Sequence, residues 1–366
     1  MHTTNRYIRQ QQIPGFGMEA QQKLTEAKVL VVGAGGLGVP ALQYLCGMGI
    51  GAIGIVDGDT VSITNLHRQV LYNESDVDKK KCIVAAEKLQ QLNSSITINI
   101  YDEMLTTVNA IGIISLYDLV IDATDNFTAR YLVNDACVIM GKPFVYAAIQ
   151  GWEAQLSVFN YQDGPTYRCL YPKQPSANEI PDCNTAGVLG VLPGIVGCQQ
   201  ALEAVKIITG VGKVLNGYLK IFDFENDSEY KIKLTANPAN KQIKALRNDA
   251  MASCAAMITE LSPLELSTWY KEEKEFLLVD VREASEFNGG HLKNALNIPS
   301  SSLSHKIFNP NVPVVLYCKT GKRSLLAAIQ LKENDEKLQV YNTVGGVDNW
   351  VAALNDHLIE YQNHIL

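Results

Sequence analysis

Residues 28–38 read KVLVVGAGGLG, and this stretch decides the fold of the first part of the chain. Lys28–Val32 is a short apolar run rich in β-branched residues, which predicts a buried strand. A glycine turn with the pattern G-x-G-x-x-G follows it, and Leu37–Met48 then has the composition of a helix. The glycines of the turn are Gly33, Gly35, Gly36 and Gly38. The order of strand, glycine turn and helix predicts a site where backbone N–H groups approach a phosphate.

The same alternation of strand and helix continues on both sides of this turn. Its segments are strand-like at Ala52–Val56, Thr97–Ile100 and Leu119–Ile121, helical at Lys79–Leu92 and Ala129–Met140, and strand-like again at Gly217–Phe224 and Tyr230–Leu234. The last two are predicted to pair antiparallel. Repeated alternation predicts an α/β fold with a doubly wound, Rossmann-like and mostly parallel sheet.

A chain of 366 residues is too long for one ordinary domain. We assign residues 1–250 to a first, larger unit and 251–262 to a linker, because the segment 251–262 is rich in small residues. Residues 263–366 form a second, smaller α/β unit. Its predicted elements are helices at Pro263–Glu273 and Ser324–Glu333 and strands at Phe276–Val281 and Val312–Tyr317.

Composition narrows the classes of partner. The formal net charge is −7, which argues against nucleic acid because phosphate backbones require a basic field. The N-terminus lacks the apolar core of a signal peptide, and the apolar run Ala186–Cys198 is too short to span a bilayer and contains Pro193. Eight irregularly spaced cysteines indicate free thiols. We therefore expect a cytoplasmic protein with no membrane or nucleic-acid partner.

Charged residues after the predicted strands distinguish two kinds of nucleotide chemistry. Asp57 suits a ribose hydroxyl, and with the glycine turn alone it would indicate NAD or FAD as readily as ATP. Arg9, Arg68 and Lys81 add positive charge that hydride transfer does not need but that phosphate activation does. Asp125 follows another strand and is a candidate Mg²⁺ ligand.

Two cysteines are candidate nucleophiles. Cys183 precedes a glycine-rich segment after a proline-bearing loop, where a thiol could attack an acyl-adenylate. Cys318 follows a strand and precedes a helix. The loop that begins at Cys318 is predicted to wrap backbone N–H groups around the sulfur, and with Lys319 and Arg323 it would favour a thiolate that carries a persulfide. The residues of this loop are Cys318, Lys319, Thr320, Gly321, Lys322 and Arg323.

These motifs resemble two known families. Arg6–Gln10, Gly33–Gly38, Asp57–Gln69, Asp122–Asn126, Arg168–Pro172 and Cys183–Gly194 resemble the ThiF/MoeB/HesA adenylyltransferases, relatives of ubiquitin-activating enzymes. Val279–Glu283, Gly290–Leu292, Ala295–Pro299 and Gly345–Trp350, with the Cys318 loop, resemble the rhodanese domain. We expect these further rhodanese matches to be structural, with Asp280 and Arg282 paired to each other.

The first resemblance implies a homodimer in which Arg9 reaches ATP in the partner subunit. It implies that Mg-ATP is surrounded by Gly36, Asp57, Asn65, Arg68, Lys81, Asp125 and Asn126, and that Cys183 is the reactive cysteine. The implied substrate is a ubiquitin-like sulfur-carrier protein that ends in Gly-Gly. The family often has a zinc site of four cysteines, but here Cys169 alone stands at the expected positions, so we expect no structural zinc.

Together the two units predict adenylation of a carrier C-terminus, followed by sulfur transfer from a Cys318 persulfide to give a thiocarboxylate. The sulfur donor would be a cysteine desulfurase or thiosulfate, and the pathway that of molybdopterin or thiamine. Three alternatives remain open at this point: an adenylyltransferase for another protein or peptide C-terminus, an NAD- or FAD-dependent oxidoreductase, and a non-catalytic scaffold. The residues do not identify the carrier or the donor, and they do not show whether Cys183 forms a covalent intermediate.

Overall fold

The structure is a computed structural model that describes residues 6–173, 187–246, 258–304, 307–335, 337–353 and 359–360. The chain divides into two compact units, Met1–Arg247 and Asn248–Leu366. The predicted nucleophile Cys183 lies outside the described residues.

The first unit is built on one sheet of eight strands. The strands are β1 (Lys28–Val32), β2 (Ala52–Val56), β3 (Thr97–Tyr101), β4 (Leu119–Asp122), β5 (Phe144–Gln150), β6 (Glu153–Phe159), β7 (Tyr218–Asp223) and β8 (Ser228–Lys233). Their spatial order is β3-β2-β1-β4-β5-β6-β7-β8. The first five pair in parallel and the last three continue antiparallel. The doubly wound, mostly parallel α/β sheet is therefore confirmed.

Helices cover both faces of this sheet. Those of the first unit are Ile8–Gln11, Gly17–Glu26, Gly38–Met48, Lys81–Leu92, Ala110–Ser115, Phe127–Ile139, Tyr167–Leu170 and Val191–Thr209. Alternate residues of β1 serve the two faces: Val29 and Val31 pack into one apolar cluster, and Leu30 and Val32 into the other. A central parallel strand buried on both faces reads as an unbroken apolar run, and for that reason β1 was recognisable in the sequence.

The apolar run around residue 190 belongs to a longer helix than we predicted. Val191–Thr209 has 19 residues and is apolar enough to cross a membrane by length and composition, so the argument that this run is too short was wrong. Half of the most apolar 18-residue stretch of this helix is buried inside the protein. The helix packs against Gly38–Met48 and β5. Among the described residues of the run Ala186–Cys198, Leu192, Pro193, Val196 and Gly197 are buried, so the interpretation as a buried segment is confirmed in part. Leu189, Val191 and Ile195 are exposed.

The second unit has a five-stranded parallel sheet. Its strands are β9 (Thr259–Leu261), β10 (Leu277–Asp280), β12 (Leu296–Asn297), β13 (Val314–Tyr317) and β14 (Val340–Thr343), in the order β12-β10-β13-β14-β9, while β11 (His291–Leu292) pairs with β15 (Ile359–Glu360). The helices are Pro263–Lys271, Ala284–Asn288, Lys322–Asn334 and Gly346–Ala353. β9 lies inside the segment that we predicted to be a linker. It was not predicted as a strand because three residues of an edge strand are too few to show an alternating apolar pattern.

Candidate active site

The parallel pairing brings three strand ends to one edge of the first sheet. β2, β1 and β4 are neighbours, so Gly33, Asp57 and Asp122 lie side by side where these strands end. The carboxyl ends of parallel strands are the usual place for a ligand in an open α/β sheet. The glycine turn and the charged residues singled out in the sequence therefore meet at this edge.

The glycine turn is packed so closely that side chains are excluded from it. Gly33 has φ +99°, and an added Cβ would lie 2.7 Å from the Ala123 carbonyl oxygen. A Cβ on Gly38 would lie 1.8 Å from the Gly33 oxygen. The helix that follows therefore begins directly against the strand, with the backbone of the turn at its N-terminus, an arrangement that suits a phosphate.

Asp57 and Lys81 form the buried, charged side of the site. Asp57 accepts hydrogen bonds from the Ala34 N–H at 2.7 Å and from the Asp59 N–H at 2.8 Å. Burial raises the pKa of the Asp57 carboxyl, and the positive charge of Lys81 opposes that shift. Lys81 is 7% exposed, and its Nζ lies 3.2 Å from Asp59 Oδ2. A buried ammonium beside the glycine turn can attract phosphate oxygens.

Arg68 lies on the other side of the turn. Its Cδ lies 3.5 Å from the place that a Cβ of Gly36 would occupy, and its Nη1 donates to the Thr64 carbonyl at 3.1 Å. Asn65 ends the short 3₁₀ turn Ile63–Asn65, and its carbonyl accepts from the Arg68 N–H at 3.0 Å. The guanidinium is thus held near Gly36.

Asp122, the last residue of β4, and Asp125, which follows the strand, have different surroundings. Asp122 is fully buried, and its Oδ1 accepts from the Thr124 hydroxyl at 2.6 Å and the Thr124 N–H at 3.1 Å. Burial raises the pKa of Asp122. Asp125 is exposed, and its Oδ1 accepts from the Asn126 amide at 3.3 Å. Asn126 Oδ1 in turn caps the helix that begins at Phe127 by accepting from the Ala129 N–H. Asp125 is therefore the carboxylate available to a cation.

Arg9 lies far from the glycine turn of its own chain. Its neighbour Gln10 donates to the Met48 carbonyl at 3.0 Å, and Tyr7 packs on Gly49. Met48 ends the helix that begins at Gly38, so these contacts are about 16 Å along that helix from the turn. The structure thus does not join Arg9 to the other predicted nucleotide ligands within one chain.

The two chain segments in which the family's zinc-binding cysteines would be expected lie next to each other in the fold. They do not supply a set of metal ligands. Cys169 Sγ accepts hydrogen bonds from the Asn237 N–H at 3.3 Å, the Asn240 amide at 3.4 Å and the Thr166 N–H at 3.4 Å. Burial raises the pKa of Cys169, but these hydrogen bonds outweigh it and lower the pKa overall. One thiol among amide donors does not fit a tetrahedral zinc site, and hydrogen bonds join the two segments instead.

The Cys318 loop closes around its sulfur. Cys318 is 1% exposed and follows β13, and its Sγ accepts from the Gly321 N–H at 3.2 Å. Ser324 Oγ lies 3.5 Å from the same sulfur. The helix Lys322–Asn334 begins directly after Gly321 and directs its N-terminal dipole at the loop. The sulfur is thus surrounded by hydrogen-bond donors and faces the positive end of a helix dipole. Lys319 and Thr320 are exposed.

Two features of this loop were missed in the sequence. Glu286 forms a bidentate ion pair with Arg323, at 2.7 and 2.8 Å. Gly346 packs so tightly that a Cβ would lie 2.3 Å from the Cys318 carbonyl oxygen. Asp280 and Arg282 do pair within the fold at 2.6 Å, as predicted. No local pattern joins Glu286 to Arg323, because their pairing depends on the tertiary fold.

Further residues of the first site were also missed. The buried Tyr72 hydroxyl donates to the Ala34 carbonyl at 2.9 Å and so helps to hold the glycine turn in place. Gln200 donates to the Asp122 carbonyl at 2.7 Å. Arg130 donates to the Thr124 carbonyl at 3.2 Å and lies over the Phe127 ring. Each is buried in the fold and carries no sequence signal of its own except Arg130, a charge on an apolar helix.

Comparison with known families decides the class. Residues 7–245 match the model of the ThiF family, and residues 262–353 match that of the rhodanese-like domain. The chain belongs to the ThiF family. This ThiF-family chain is thus an ATP-using adenylyltransferase with a sulfurtransferase domain, and the oxidoreductase alternative is not supported.

Curated relatives of the ThiF family agree over nearly the whole chain. A "Probable adenylyltransferase/sulfurtransferase MoeZ" of Mycobacterium tuberculosis is 36% identical, over 97% of this chain and 95% of its own. A "Probable molybdopterin-synthase adenylyltransferase" of Porphyra purpurea is 36% identical, over 96% of this chain and 94% of its own. A "Sulfur carrier protein adenylyltransferase" of Thermus thermophilus is 48% identical, over 64% of this chain and 88% of its own.

A solved ThiF-type structure supports the fold. The E. coli MccB structure with ATP aligns with a TM-score of 0.58 at 23% identity, covering 67% of this chain and 75% of its own. At this identity the likeness shows the fold of the first unit and nothing of its substrate.

Proposed function

We propose that this protein uses Mg-ATP to adenylate the C-terminal carboxylate of a ubiquitin-like sulfur-carrier protein that ends in Gly-Gly, and then converts that carboxylate into a thiocarboxylate. One observation carries the proposal: a single chain holds both a glycine turn flanked by Arg68 and Lys81 and a thiol enclosed by N–H donors at Cys318. The named relatives include a sulfur-carrier and a molybdopterin-synthase adenylyltransferase, which favours a carrier of the molybdopterin type.

Each residue of the first site has a role in the adenylation. The backbone N–H groups of Gly33–Gly38 and the charge of Lys81 hold the phosphates, and Arg68 stabilises negative charge as pyrophosphate leaves. Asp57 binds the ribose once the nucleotide displaces its bond to Ala34. No general base is needed, because the attacking carboxylate is already ionised and nucleophilic.

Magnesium fits the exposed carboxylate. In the described part of the chain no cluster of three or more His, Cys, Asp or Glu side chains could hold a metal by itself. Mg²⁺ commonly binds through one or two carboxylates together with substrate phosphates, so Asp125 suffices as its protein ligand. The bound ion would neutralise phosphate charge and orient the nucleotide.

Sulfur transfer follows at Cys318. The Cys318 thiolate attacks the outer sulfur of a donor, either a cysteine desulfurase persulfide or thiosulfate. The donor S–S bond breaks, the desulfurase thiolate or sulfite leaves with the electron pair, and Cys318 becomes a persulfide. The terminal persulfide sulfur attacks the acyl-adenylate carbonyl, the bond to AMP breaks, and an acyl disulfide forms. A second thiol, for which Cys183 is the candidate, then attacks the Cys318 sulfur, releases the carrier thiocarboxylate and leaves a disulfide.

Intact mass spectrometry tests this function. Candidate Gly-Gly carriers are incubated with the full chain, Mg-ATP and a sulfur donor, and we expect one carrier to gain the mass of a thiocarboxylate. A carrier that stops at the adenylate with donor present would refute the sulfur-transfer half. Adenylation only of peptides or proteins without the carrier fold would refute the choice of substrate.

We also propose a homodimer in which Arg9 serves the partner subunit's nucleotide. The support is the distance of about 16 Å that separates the contacts of the Arg9 helix from the glycine turn of the same chain. An arginine that must reach phosphate from there is more easily supplied across an interface. Closed twofold symmetry would give both sites the same arrangement.

Mixing two inactive variants tests this arrangement. We expect Arg9→Ala and Asp125→Ala homodimers each to lose ATP–pyrophosphate exchange, and the co-expressed pair to regain about a quarter of the wild-type rate. Half of the dimers are mixed, and each mixed dimer has one intact site of two. Exchange that stays at the level of the single variants would refute an arginine supplied by the partner.

A further inference from the structure

We propose that Glu286 is a specificity-determining residue of the Cys318 loop, which it makes less receptive to small anionic sulfur donors by neutralising Arg323. The inference rests on the proposed persulfide function of Cys318. It adds to that function a statement about the donor: a protein-bound persulfide, or a free persulfide of smaller charge, is accepted more readily than a dianion such as thiosulfate.

The geometry of the ion pair is specific. Arg323 is the last residue of the Cys318 loop, and its Nη1 and Nη2 lie 2.8 and 2.7 Å from the two carboxylate oxygens of Glu286. Glu286 comes from the separate helix Ala284–Asn288, so it contacts the loop from outside. A planar guanidinium that faces both oxygens of one carboxylate has its two terminal amino groups directed at that carboxylate.

The charge of Arg323 is within reach of the sulfur. The hydrogen bonds that Arg323 donates to Glu286 raise the pKa of Arg323, and the negative charge of a Cys318 thiolate raises it further. The hydrogen bonds from Arg323 lower the pKa of Glu286, so that its carboxylate stays ionised at neutral pH. The guanidinium of Arg323 is therefore matched by an ionised carboxylate.

The guanidinium of Arg282 is also paired with a carboxylate. Arg282 donates to Asp280 through Nε and Nη2, and Asp280 is fully buried. Arg282 and Arg323 are thus both paired with carboxylates. The side chain of Glu286 is 33% exposed, so its charge also faces any donor that approaches Arg323 from solvent.

Thiosulfate makes the consequence measurable. The Cys318 thiolate attacks the outer sulfur of the dianion, the S–S bond breaks, sulfite leaves with the electron pair, and Cys318 becomes a persulfide. Cyanide then removes that sulfur as thiocyanate and restores the thiolate. A dianion approaching a neutralised guanidinium gains little attraction, and it is repelled by the Glu286 carboxylate.

Steady-state kinetics of the full chain test the proposal. We expect Glu286→Gln to lower the KM for thiosulfate roughly three- to tenfold, with kcat changed less than about twofold, because an exposed charge acts mainly on encounter and binding. The gain should shrink as salt is added. With free cysteine persulfide as donor, the same variant should change KM less than about twofold.

Two further variants test whether the effect of Glu286→Gln is specific to this position and depends on Arg323. Glu275→Gln removes the same charge from the exposed loop before β10, at the opposite edge of the parallel sheet from Cys318, and should leave both KM values unchanged. In an Arg323→Gln background, Glu286→Gln should lower the KM for thiosulfate less than it does when Arg323 is present, because only the direct repulsion by the carboxylate is then removed. Circular dichroism of each variant verifies that it is folded.

Each contrary result has a definite meaning. If Glu286→Gln raises the KM for thiosulfate or lowers kcat, Glu286 serves to hold Arg323 in place for donor binding and the proposal is overturned. An effect no larger than that of Glu275→Gln also overturns it. If the wild-type chain takes sulfur from neither donor, the persulfide function itself fails, and the proposal with it.

Discussion

Replacing Cys318 by serine is expected to abolish thiocarboxylate formation while ATP–pyrophosphate exchange continues at the wild-type rate. A serine hydroxyl is not ionised at neutral pH and cannot carry a sulfane sulfur, so the loss should be roughly a hundredfold or more. The hydroxyl would still occupy the loop formed by Gly321 and Ser324, so the fold should be retained. Intact mass spectrometry of the carrier and an exchange assay measure the two half-reactions separately.

Cys198→Ser is the matched control for this substitution. Cys198 is half-buried on the helix Val191–Thr209, far in sequence from the loop, and burial raises the pKa of its thiol. Its replacement should leave thiocarboxylate formation within about twofold of wild type. If the Cys318 variant still forms the thiocarboxylate at the control's rate, sulfur reaches the carrier without a Cys318 persulfide.

Asp125→Ala is expected to lower ATP–pyrophosphate exchange by roughly two orders of magnitude, because a metal that bridges phosphates stabilises much of the charge of the transition state. Asp125 is exposed, so its loss should not unfold the first unit. Persulfide formation at Cys318 from thiosulfate should be unchanged. The exchange rate is measured over a range of Mg²⁺ concentrations, and the deficit should narrow as Mg²⁺ is raised.

Asp163→Ala removes the same charge from an exposed loop and should leave exchange unaffected. A wild-type exchange rate in the Asp125 variant would remove Asp125 from the metal site. Asp122 is not an equivalent choice, because it is fully buried and holds Thr124, and its loss would disturb the fold of the turn as well.

Elements of the central sheet were predictable because burial leaves a continuous apolar pattern. β1 and β2 have the predicted bounds, and the antiparallel pair β7 and β8 lies on either side of the expected turn. Elements at the margins were not predictable in this way. β9 was assigned to the linker, and the hairpin of β5 and β6 was not predicted, because tertiary pairing rather than local period defines them.

The surroundings of charged residues also depend on the tertiary structure. Asp122 at the end of β4 and Asp125 just after it look alike in the sequence, yet Asp122 is fully buried against Thr124 and Asp125 is exposed. Which of them faces solvent depends on how β4 and the helix from Phe127 pack. The sequence indicated an effect of Arg323 on the Cys318 thiol. In the structure its guanidinium is also ion-paired with Glu286, which is 37 residues away.

By itself the sequence determined the class of the protein, because glycine turns and cysteine loops must be continuous in the chain to surround a phosphate or a sulfur. The alternation of strands and helices likewise determined that sites would lie at strand ends. Only the tertiary structure decided which carboxylate is open to a cation, that Arg9 lies far from its own glycine turn, and that Glu286 neutralises Arg323. Those facts depend on contacts between residues distant in sequence, which form because packing of the apolar faces fixes where each charged side chain lies.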